Sequence, residues 1–289
     1  MDYRTLIDAQ SLEAMLAGAS ADGRCVVLDC RFNLMQPEAG LEQYQQGHIP
    51  TAVYAHLDHD LSSPIIPQSG RHPLPDPQRL AKRLGEWGIA ADTQVVVYDD
   101  MAGAMAARAW WLLRWLGHER VALLDGGLSA WIAAAGAISS QSESPACCGE
   151  YPLKLHSDWL LNSAEVAANL AAEPPGFCLV DARNVERFVG EQEPIDPVAG
   201  HVPAALNRPL SDNLTPTNSF KSPDQLRGEW LALLGASAAD DAVMMCGSGV
   251  TACHNLLAME IAGLKGGRLY AGSWSEWIRD PQRPIATGA

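Results

Sequence analysis

Short apolar runs alternate with longer amphipathic segments along the whole chain. Six runs have the length and composition of buried strands, at residues 25–28, 95–98, 121–124, 177–180, 243–245 and 268–270. Four segments have helical periodicity, at residues 77–87, 104–115, 222–234 and 252–263. Regular alternation of strands and helices predicts an α/β fold in which mainly parallel sheets carry helices on both faces.

Two of these helices have recognisable starts. Asp76 precedes Pro77, which is a preferred first helical residue, so we expect Asp76 to be the N-cap. Ser222 is followed by Pro223 and, three residues after the serine, by Gln225. This spacing predicts a capping box at the start of the helix predicted at 222–234.

The two halves of the chain repeat the same landmarks in the same order. The paired residues Asp29 and Arg31 recur as Asp181 and Arg183, and the triplet that begins at His48 recurs at His201. Residues 123–127 recur at 269–273, and a tryptophan follows at the same distance in both halves. We therefore predict a duplicated domain, with a first domain at 1–140, a linker at 141–157 and a second domain at 158–289.

The most distinctive segment is Cys-Gly-Ser-Gly-Val-Thr at 246–251, between a predicted strand and a predicted helix. Open α/β sheets bind ligands at the carboxyl ends of their strands, where Cys246 stands. Two glycines allow successive N–H groups to point inward, and the following helix adds positive potential. Such a loop favours a thiolate, a persulfide or a bound oxyanion.

The first half lacks the thiol of this loop. With an offset of 146 residues, Asp100 corresponds to Cys246 and Gly103 to Gly249. The duplication therefore predicts one catalytic domain and one supporting domain.

Composition and charge narrow the classes of partner. The 289 residues are 47% hydrophobic and carry a net charge of −14, which argues against nucleic acid or an anionic membrane as partner. Charged residues interrupt the first 21 positions, so we expect no secretory signal there. The spacing of the seven cysteines does not resemble a disulfide framework, which favours the reducing cytoplasm as the location of the protein.

These motifs together resemble the two-domain rhodaneses over nearly the whole chain. The loop that begins at Cys246 is similar to that of the 3-mercaptopyruvate sulfurtransferase branch, whereas the thiosulfate branch carries basic residues after the cysteine. The resemblance implies two tandem rhodanese-like domains and a sulfur relay. Cys246 takes sulfur from 3-mercaptopyruvate or thiosulfate as a persulfide, and a small thiol, cyanide or a protein thiol removes it. No metal or organic cofactor is implied.

The resemblance also implies roles for individual residues. Arg187 matches the arginine that holds the anionic group of the donor, and Arg183 is expected to pair with Asp181 as support. The loop residues Gly247, Gly249, Val250 and Thr251 are expected to surround the donor and the persulfide. Ser248, Asp58 and His72 match a proton relay proposed for the mercaptopyruvate branch. His48, His201 and His254 are expected to be structural.

One position departs from the family pattern. Ile195 stands where mercaptopyruvate enzymes carry a second substrate arginine, and Arg208 is the nearby residue expected to replace it. Thiosulfate therefore stays open as the preferred donor. Cys253, seven residues after Cys246, is expected to be buried on the helix, with a resolving thiol as the alternative.

Two other classes of function use some of the same features. A cysteine-based phosphatase also has a cysteine loop before a helix, but Thr251 and Ala252 stand where its phosphate-binding arginine would be. A non-catalytic persulfide carrier would use the thiol-free half as a docking surface. Turnover assays separate the carrier from a sulfurtransferase, and a phosphatase substrate tests the phosphatase alternative.

Overall fold

The computed structural model describes residues 2–19, 25–143, 145 and 147–288. Residues 1, 20 and 21 of the segment considered as a leader, and residues 144 and 146 of the predicted linker, lie outside the described residues. Among the described residues, no helix is long and apolar enough to cross a membrane.

The first half of the chain contains five strands and five helices in alternating order. The strands are β1 (Leu6–Ile7), β2 (Cys25–Asp29), β3 (Val53–Tyr54), β4 (Gln94–Tyr98) and β5 (Val121–Leu124). The helices are α1 (Ala9–Ala19), α2 (Ala39–Gln46), α3 (Pro77–Glu86), α4 (Ala106–Trp115) and α5 (Gly127–Ala133).

The second half repeats this order. Its strands are β6 (Leu160–Leu161), β7 (Cys178–Asp181), β8 (Leu206–Asn207), β9 (Ala242–Met245) and β10 (Arg268–Tyr270). Its helices are α6 (Ser163–Leu170), α7 (Val185–Phe188), α8 (Pro223–Leu234), α9 (Ala252–Ile261) and α10 (Ser273–Trp277). The six predicted strands and four predicted helices are all present, with boundaries that differ by at most two residues.

Each half forms its own five-stranded sheet, and every strand pair in it is parallel. The first sheet has the order β1-β5-β4-β2-β3 and the second has the order β6-β10-β9-β7-β8. Asp29 pairs in register with Tyr98, and Asp181 pairs with Met245. The tandem parallel α/β fold expected from the sequence is therefore confirmed.

Both sheets are buried, which explains why their strands read as short continuous apolar runs. On one face of the first sheet, Val27, Val96 and Leu124 pack with residues of α1 and α5. The helix α4 contacts β4 and β5 and contributes no residue to that cluster, so it covers the other face. In the second half, Val243, Met245 and Tyr270 pack with α6 and with two tryptophans of α10.

The chain forms two compact units whose boundaries do not follow the sequence strictly. The first unit comprises 1–63, 74–156 and 217–219, and the second comprises 64–73, 157–216 and 220–289. The short segment 64–73 comes from the first half of the sequence but packs in the second unit. This segment contains Arg71 and His72.

The repeated Asp-x-Arg landmark has the same structural role in both units. Arg31 pairs with Asp29 and donates to the carbonyl of Gly47 at 2.7 Å. Arg183 pairs with Asp181 and donates to the carbonyl of Gly200 at 2.8 Å. Each arginine ties the end of a central strand to a neighbouring loop, as expected for Arg183.

One of the two predicted helix caps forms completely and the other forms in part. The side chain of Asp76 accepts from the N–H of Arg79, and Ser222 accepts from the N–H of Gln225. The side chain of Gln225 turns to Glu229 instead of reaching back to Ser222. The predicted capping box at α8 is therefore only half formed, because the glutamine has a partner within the helix.

Candidate active site

Cys246 directly follows β9, and only 1% of its surface is exposed. Its N–H donates to Ser273 Oγ at 3.0 Å, and its carbonyl accepts from the N–H of Trp274 at 3.0 Å. The start of α10 therefore fixes the backbone of the cysteine from both sides. A backbone held in this way presents the thiol in a fixed position.

The loop after Cys246 turns back toward the sulfur atom. The N–H of Gly249 donates to Cys246 Sγ at 3.1 Å, and Gly249 has a φ of 77°. A Cβ at Gly249 would also overlap the carbonyl oxygen of Ala271. Only glycine fits this position, and the turn that it permits aims a hydrogen-bond donor at the sulfur.

The rest of the loop leads into α9. Val250 is buried, and Thr251 is the half-buried N-cap residue of the helix, without a side-chain cap bond. Cys253 is buried in the first turn of α9, and its Sγ donates to the carbonyl of Gly249 at 3.4 Å. The structure thus gives Cys253 a contact that supports the loop.

Ser273 is a site residue that the sequence analysis missed. It is fully buried, has a φ of 54°, and its hydroxyl donates to the carbonyl of Tyr270 while accepting from Cys246. Its counterpart in the first half is Gly127, which has a φ of 58°. A glycine at the repeat-equivalent position was the signal that residue 273 needs a left-handed backbone.

Ser248 and His72 meet in the second unit, 176 positions apart in the sequence. The distance from His72 Nδ1 to Ser248 Oγ is 2.7 Å, and both side chains are buried. A serine hydroxyl and an imidazole at this distance can exchange a proton. Asp58, the third residue of the expected relay, lies half-buried in the first unit. Its part in a relay stays a prediction.

Arg187 lies beside the cysteine loop. The point where a Cβ would stand on Gly247 is 3.5 Å from Arg187 Nη1 and 3.6 Å from Nη2. Glu193 accepts from Nε of this guanidinium group at 3.0 Å, and Asp196 accepts from its Nη2 at 3.0 Å. Burial raises the pKa of Glu193, but hydrogen bonds from Arg187 outweigh it and the net pKa is below its ordinary value.

A second arginine beside the loop is Arg71, whose Nη2 lies 2.9 Å from the point where a Cβ would stand on Gly247. The donor-binding role expected for Arg208 stays a prediction. Arg208 donates to Asn213 Oδ1 at 3.0 Å and to Glu229 at 2.9 Å, and its guanidinium lies over the ring of Trp230. These contacts occupy Nε and Nη2 of Arg208, and one of the two partners, Glu229, belongs to α8. Burial opposes the effect, but hydrogen bonds from Arg208, Lys221 and Gln225 lower the pKa of Glu229 to about 2.

The thiol-free loop of the first unit shows what this loop geometry attracts. Asp99 directly follows β4, and its carboxylate accepts from the N–H groups of four residues, Met101, Gly103, Met105 and Ala106. Its carbonyl accepts from Leu128, as that of Cys246 accepts from Trp274. Asp99 is therefore the counterpart of Cys246, and the loop turns its donors toward an anion.

This equivalence corrects the alignment made from the sequence. The expected counterpart of Cys246 was Asp100, which is exposed. The loop of the first unit has one residue more between Asp99 and Gly103 than the second loop has between Cys246 and Gly249. The constant offset of 146 residues therefore misaligns the first residue of the two loops. The offset holds from Gly103 onward, because Gly103 and Gly249 both adopt a positive φ.

One cluster of potential metal ligands lies in the first unit. Ligand atoms of Glu38, His56 and His59 lie within 4.8 Å of one another. The N–H of Asp58 donates to His56 Nδ1 at 3.1 Å, so the proton of the neutral ring is on Nε2, the atom that faces Glu38 at 3.8 Å. That protonation state does not suit metal binding at Nε2.

Three further histidines make structural contacts. His48 Nδ1 lies 2.7 Å from the carbonyl oxygen of Tyr44, and His201 Nδ1 lies 2.8 Å from that of Phe188. His254 contacts Asn213 and stacks on Phe220 with ring centroids 4.5 Å apart. These contacts agree with the structural roles expected for the three residues.

Comparison with known proteins identifies the family. The Rhodanese-like domain family matches residues 8–134 and again 162–280. The chain is 50% identical over its full length to the full length of the Pseudomonas aeruginosa "Probable 3-mercaptopyruvate sulfurtransferase". It is 30% identical to mouse thiosulfate sulfurtransferase, over 99% of this chain and 96% of that protein.

A solved structure agrees with this assignment. The structure of 3-mercaptopyruvate sulfurtransferase from Leishmania major superposes with a TM-score of 0.81 and 30% identity, over 95% of this chain and 74% of that chain. Both halves of the sequence and the fold therefore lead to the same conclusion. The chain belongs to the rhodanese family of sulfurtransferases and carries the family's domain in two tandem copies.

Proposed function

We propose that this enzyme transfers sulfur through a persulfide on Cys246, with 3-mercaptopyruvate as its donor. The contact between Ser248 Oγ and His72 Nδ1 is the observation that favours 3-mercaptopyruvate over thiosulfate. Cleavage of the carbon–sulfur bond of 3-mercaptopyruvate leaves an enolate that needs a proton, whereas thiosulfate releases sulfite, which needs none. A buried serine–histidine pair beside the nucleophile is suited to the first reaction.

In the first half-reaction, the thiolate of Cys246 attacks the sulfur of the donor. A sulfur–sulfur bond forms, the bond between sulfur and C3 breaks, and its electron pair goes to the enolate of pyruvate. The proton that the donor carried on its sulfur ends on C3, and Ser248 and His72 move it. The products are the Cys246 persulfide anion and pyruvate, so atoms and charge balance.

The loop stabilises the persulfide that results. The N–H of Gly249 already donates to the sulfur atom, and the four N–H groups around Asp99 in the other unit support the same anion-binding role for this loop type. Gly247, Val250 and Thr251 complete the surroundings of the bound sulfur. Dipolar donors that need no reorganisation are effective at stabilising charge.

In the second half-reaction, an acceptor takes the outer sulfur and restores the thiolate. Cyanide becomes thiocyanate, a small thiol becomes a persulfide, and a protein thiol can act in the same way. The net charge of −14 does not suit nucleic acid or an anionic membrane as partner. All seven cysteines are free, which is consistent with a reducing compartment such as the cytoplasm.

Thiosulfate is a second candidate donor because two arginines, Arg71 and Arg187, lie beside Gly247. A compact dianion could bind between their guanidinium groups. The two donors share the persulfide on Cys246, so one set of measurements distinguishes them.

Intact-mass measurement of the reduced protein tests the proposal. After exposure to 3-mercaptopyruvate, the wild type should gain one sulfur atom, and cyanide should remove it. Cys246→Ser should gain none, while Cys253→Ser should still be loaded. Faster loading by thiosulfate would reverse the choice of donor, and no loading by either donor would reject the sulfur relay.

A further inference from the structure

We propose that Arg71 is a donor-binding residue, which together with Arg187 holds the carboxylate of the donor. This proposal rests on the function proposed above. Arg71 takes the place of the arginine that is missing at position 195 and comes from the segment 64–73. Asp196 joins the two arginines and fixes their positions.

The segment 64–73 is fixed beside the cysteine loop by close backbone contacts. The N–H of Arg71 donates to Ser275 Oγ at 3.0 Å. A Cβ at Gly70 would lie 2.6 Å from the carbonyl oxygen of Gly272 and 2.9 Å from Ser275 Oγ, so a larger residue would push the segment away. Glycine at position 70 therefore allows the approach that delivers both Arg71 and His72.

The guanidinium of Arg71 lies against the residue that follows the nucleophile. Arg71 Nη2 is 2.9 Å from the point where a Cβ would stand on Gly247, and Arg187 Nη1 is 3.5 Å from the same point. Adjacent Cα atoms are about 3.8 Å apart, so these donors are within one residue of Cys246. The missing side chain of Gly247 leaves open the space that both arginines face.

Asp196 bridges the two arginines. Its carboxylate accepts from Arg71 Nη1 and, at 3.0 Å, from Arg187 Nη2. It is buried, and burial raises its pKa although both arginines oppose this effect. The carboxylate of Asp196 holds the two guanidinium groups at a fixed separation. Two guanidinium groups fixed in this way can bind the carboxylate of the donor between them.

Donors remain for a ligand after these internal contacts are counted. Among the described residues, Arg71 Nη2 and Arg187 Nη1 have no protein partner, and the buried Nε of Arg71 has none either. The two unpaired Nη groups are those nearest Gly247. Ile195, by contrast, is 37% exposed and can offer no charge.

The two half-reactions separate a binding role from a structural role. Arg71→Gln should lower kcat/KM for loading by 3-mercaptopyruvate by about 10- to 100-fold, mainly through KM, because one charge-assisted contact is lost. Discharge of the preformed persulfide to cyanide should keep its rate, because cyanide has no carboxylate. Arg71→Lys should fall between the two, since it keeps the charge and loses the fork.

Arg279→Gln is the matched control, because Arg279 is an exposed arginine of the same unit with no described side-chain partner. It should load and discharge like the wild type. Equal loading by Arg71→Gln and wild type would overturn the proposal, and so would an equal loss in both half-reactions. If the wild type itself takes up no sulfur, the proposed function fails instead, so the two failures are distinguishable.

Discussion

The imidazole of His72 contacts the hydroxyl of Ser248 at 2.7 Å, and Ser248 is two residues along the chain from Cys246. The contact joins the segment 64–73 to the cysteine loop within one compact unit. Proton transfer through this pair would be needed by one donor and not by the other. The pair therefore offers a way to tell the chemistry of the two donors apart.

Ser248→Ala should slow loading by 3-mercaptopyruvate about 100-fold, because the enolate loses its proton donor. Loading by thiosulfate should be unaffected, because sulfite leaves without a proton. His72→Asn should follow the same pattern, and the exposed Ser237→Ala should not change either reaction. Rapid-mixing mass spectrometry of the persulfide measures each rate, and an equal loss with both donors would contradict the assignment.

Gly249→Ala should abolish persulfide formation and destabilise the protein by about 3 kcal/mol or more, because its Cβ would overlap Ala271 at a positive φ. Gly228→Ala is the matched control, since nothing lies within 4 Å of its Cβ position and it stands inside α8. That substitution should stabilise the protein by about 0.5–1 kcal/mol. Urea denaturation and the loading assay report both effects; a well-folded, active Gly249→Ala would refute the loop geometry.

Asp99→Ala should destabilise the first unit by about 3–5 kcal/mol, because four backbone N–H groups lose their acceptor. Asp100→Ala, one residue later and exposed, should change stability by no more than about 0.5 kcal/mol. Chemical denaturation of the two variants makes the comparison. The reverse order of effects would support the sequence-based choice of Asp100 as the counterpart of Cys246.

His118 should make the protein sensitive to mild acid. Burial lowers the pKa of His118 from 6.5 to about 4, so the unfolded chain binds a proton that the folded chain does not. The free energy of unfolding is therefore unaffected by this group above pH 6.5 and decreases as the pH falls toward 4. The decrease amounts to about 2 kcal/mol at pH 5.

The neutral variant His118→Gln tests this assignment. Between pH 7 and pH 5, its free energy of unfolding should decrease by about 2 kcal/mol less than that of the wild type, because glutamine does not titrate. Denaturation curves at both pH values provide the comparison. Parallel losses in wild type and variant would assign the acid sensitivity to other groups.

Much of the fold could be predicted because it depends on local patterns. The run at 121–124 matches β5 residue for residue, since buried parallel strands are apolar on both faces, and the run at 268–270 matches β10 although it begins with a half-buried arginine. Two-residue strands such as β1 and β8 carry no such periodicity, and neither was predicted. Their pairing depends on longer neighbours that hold them in the sheet.

The sequence by itself determined the duplication, the alternating elements and Cys246 in a glycine loop between strand and helix. These features are encoded in contiguous residues and repeat spacing. The tertiary structure decided that Arg71 faces the loop, that Arg208 donates to Asn213, and that Asp99 is the counterpart of Cys246. Contacts such as that between His72 and Ser248 join residues 176 positions apart, and only the packing of the folded chain can specify them.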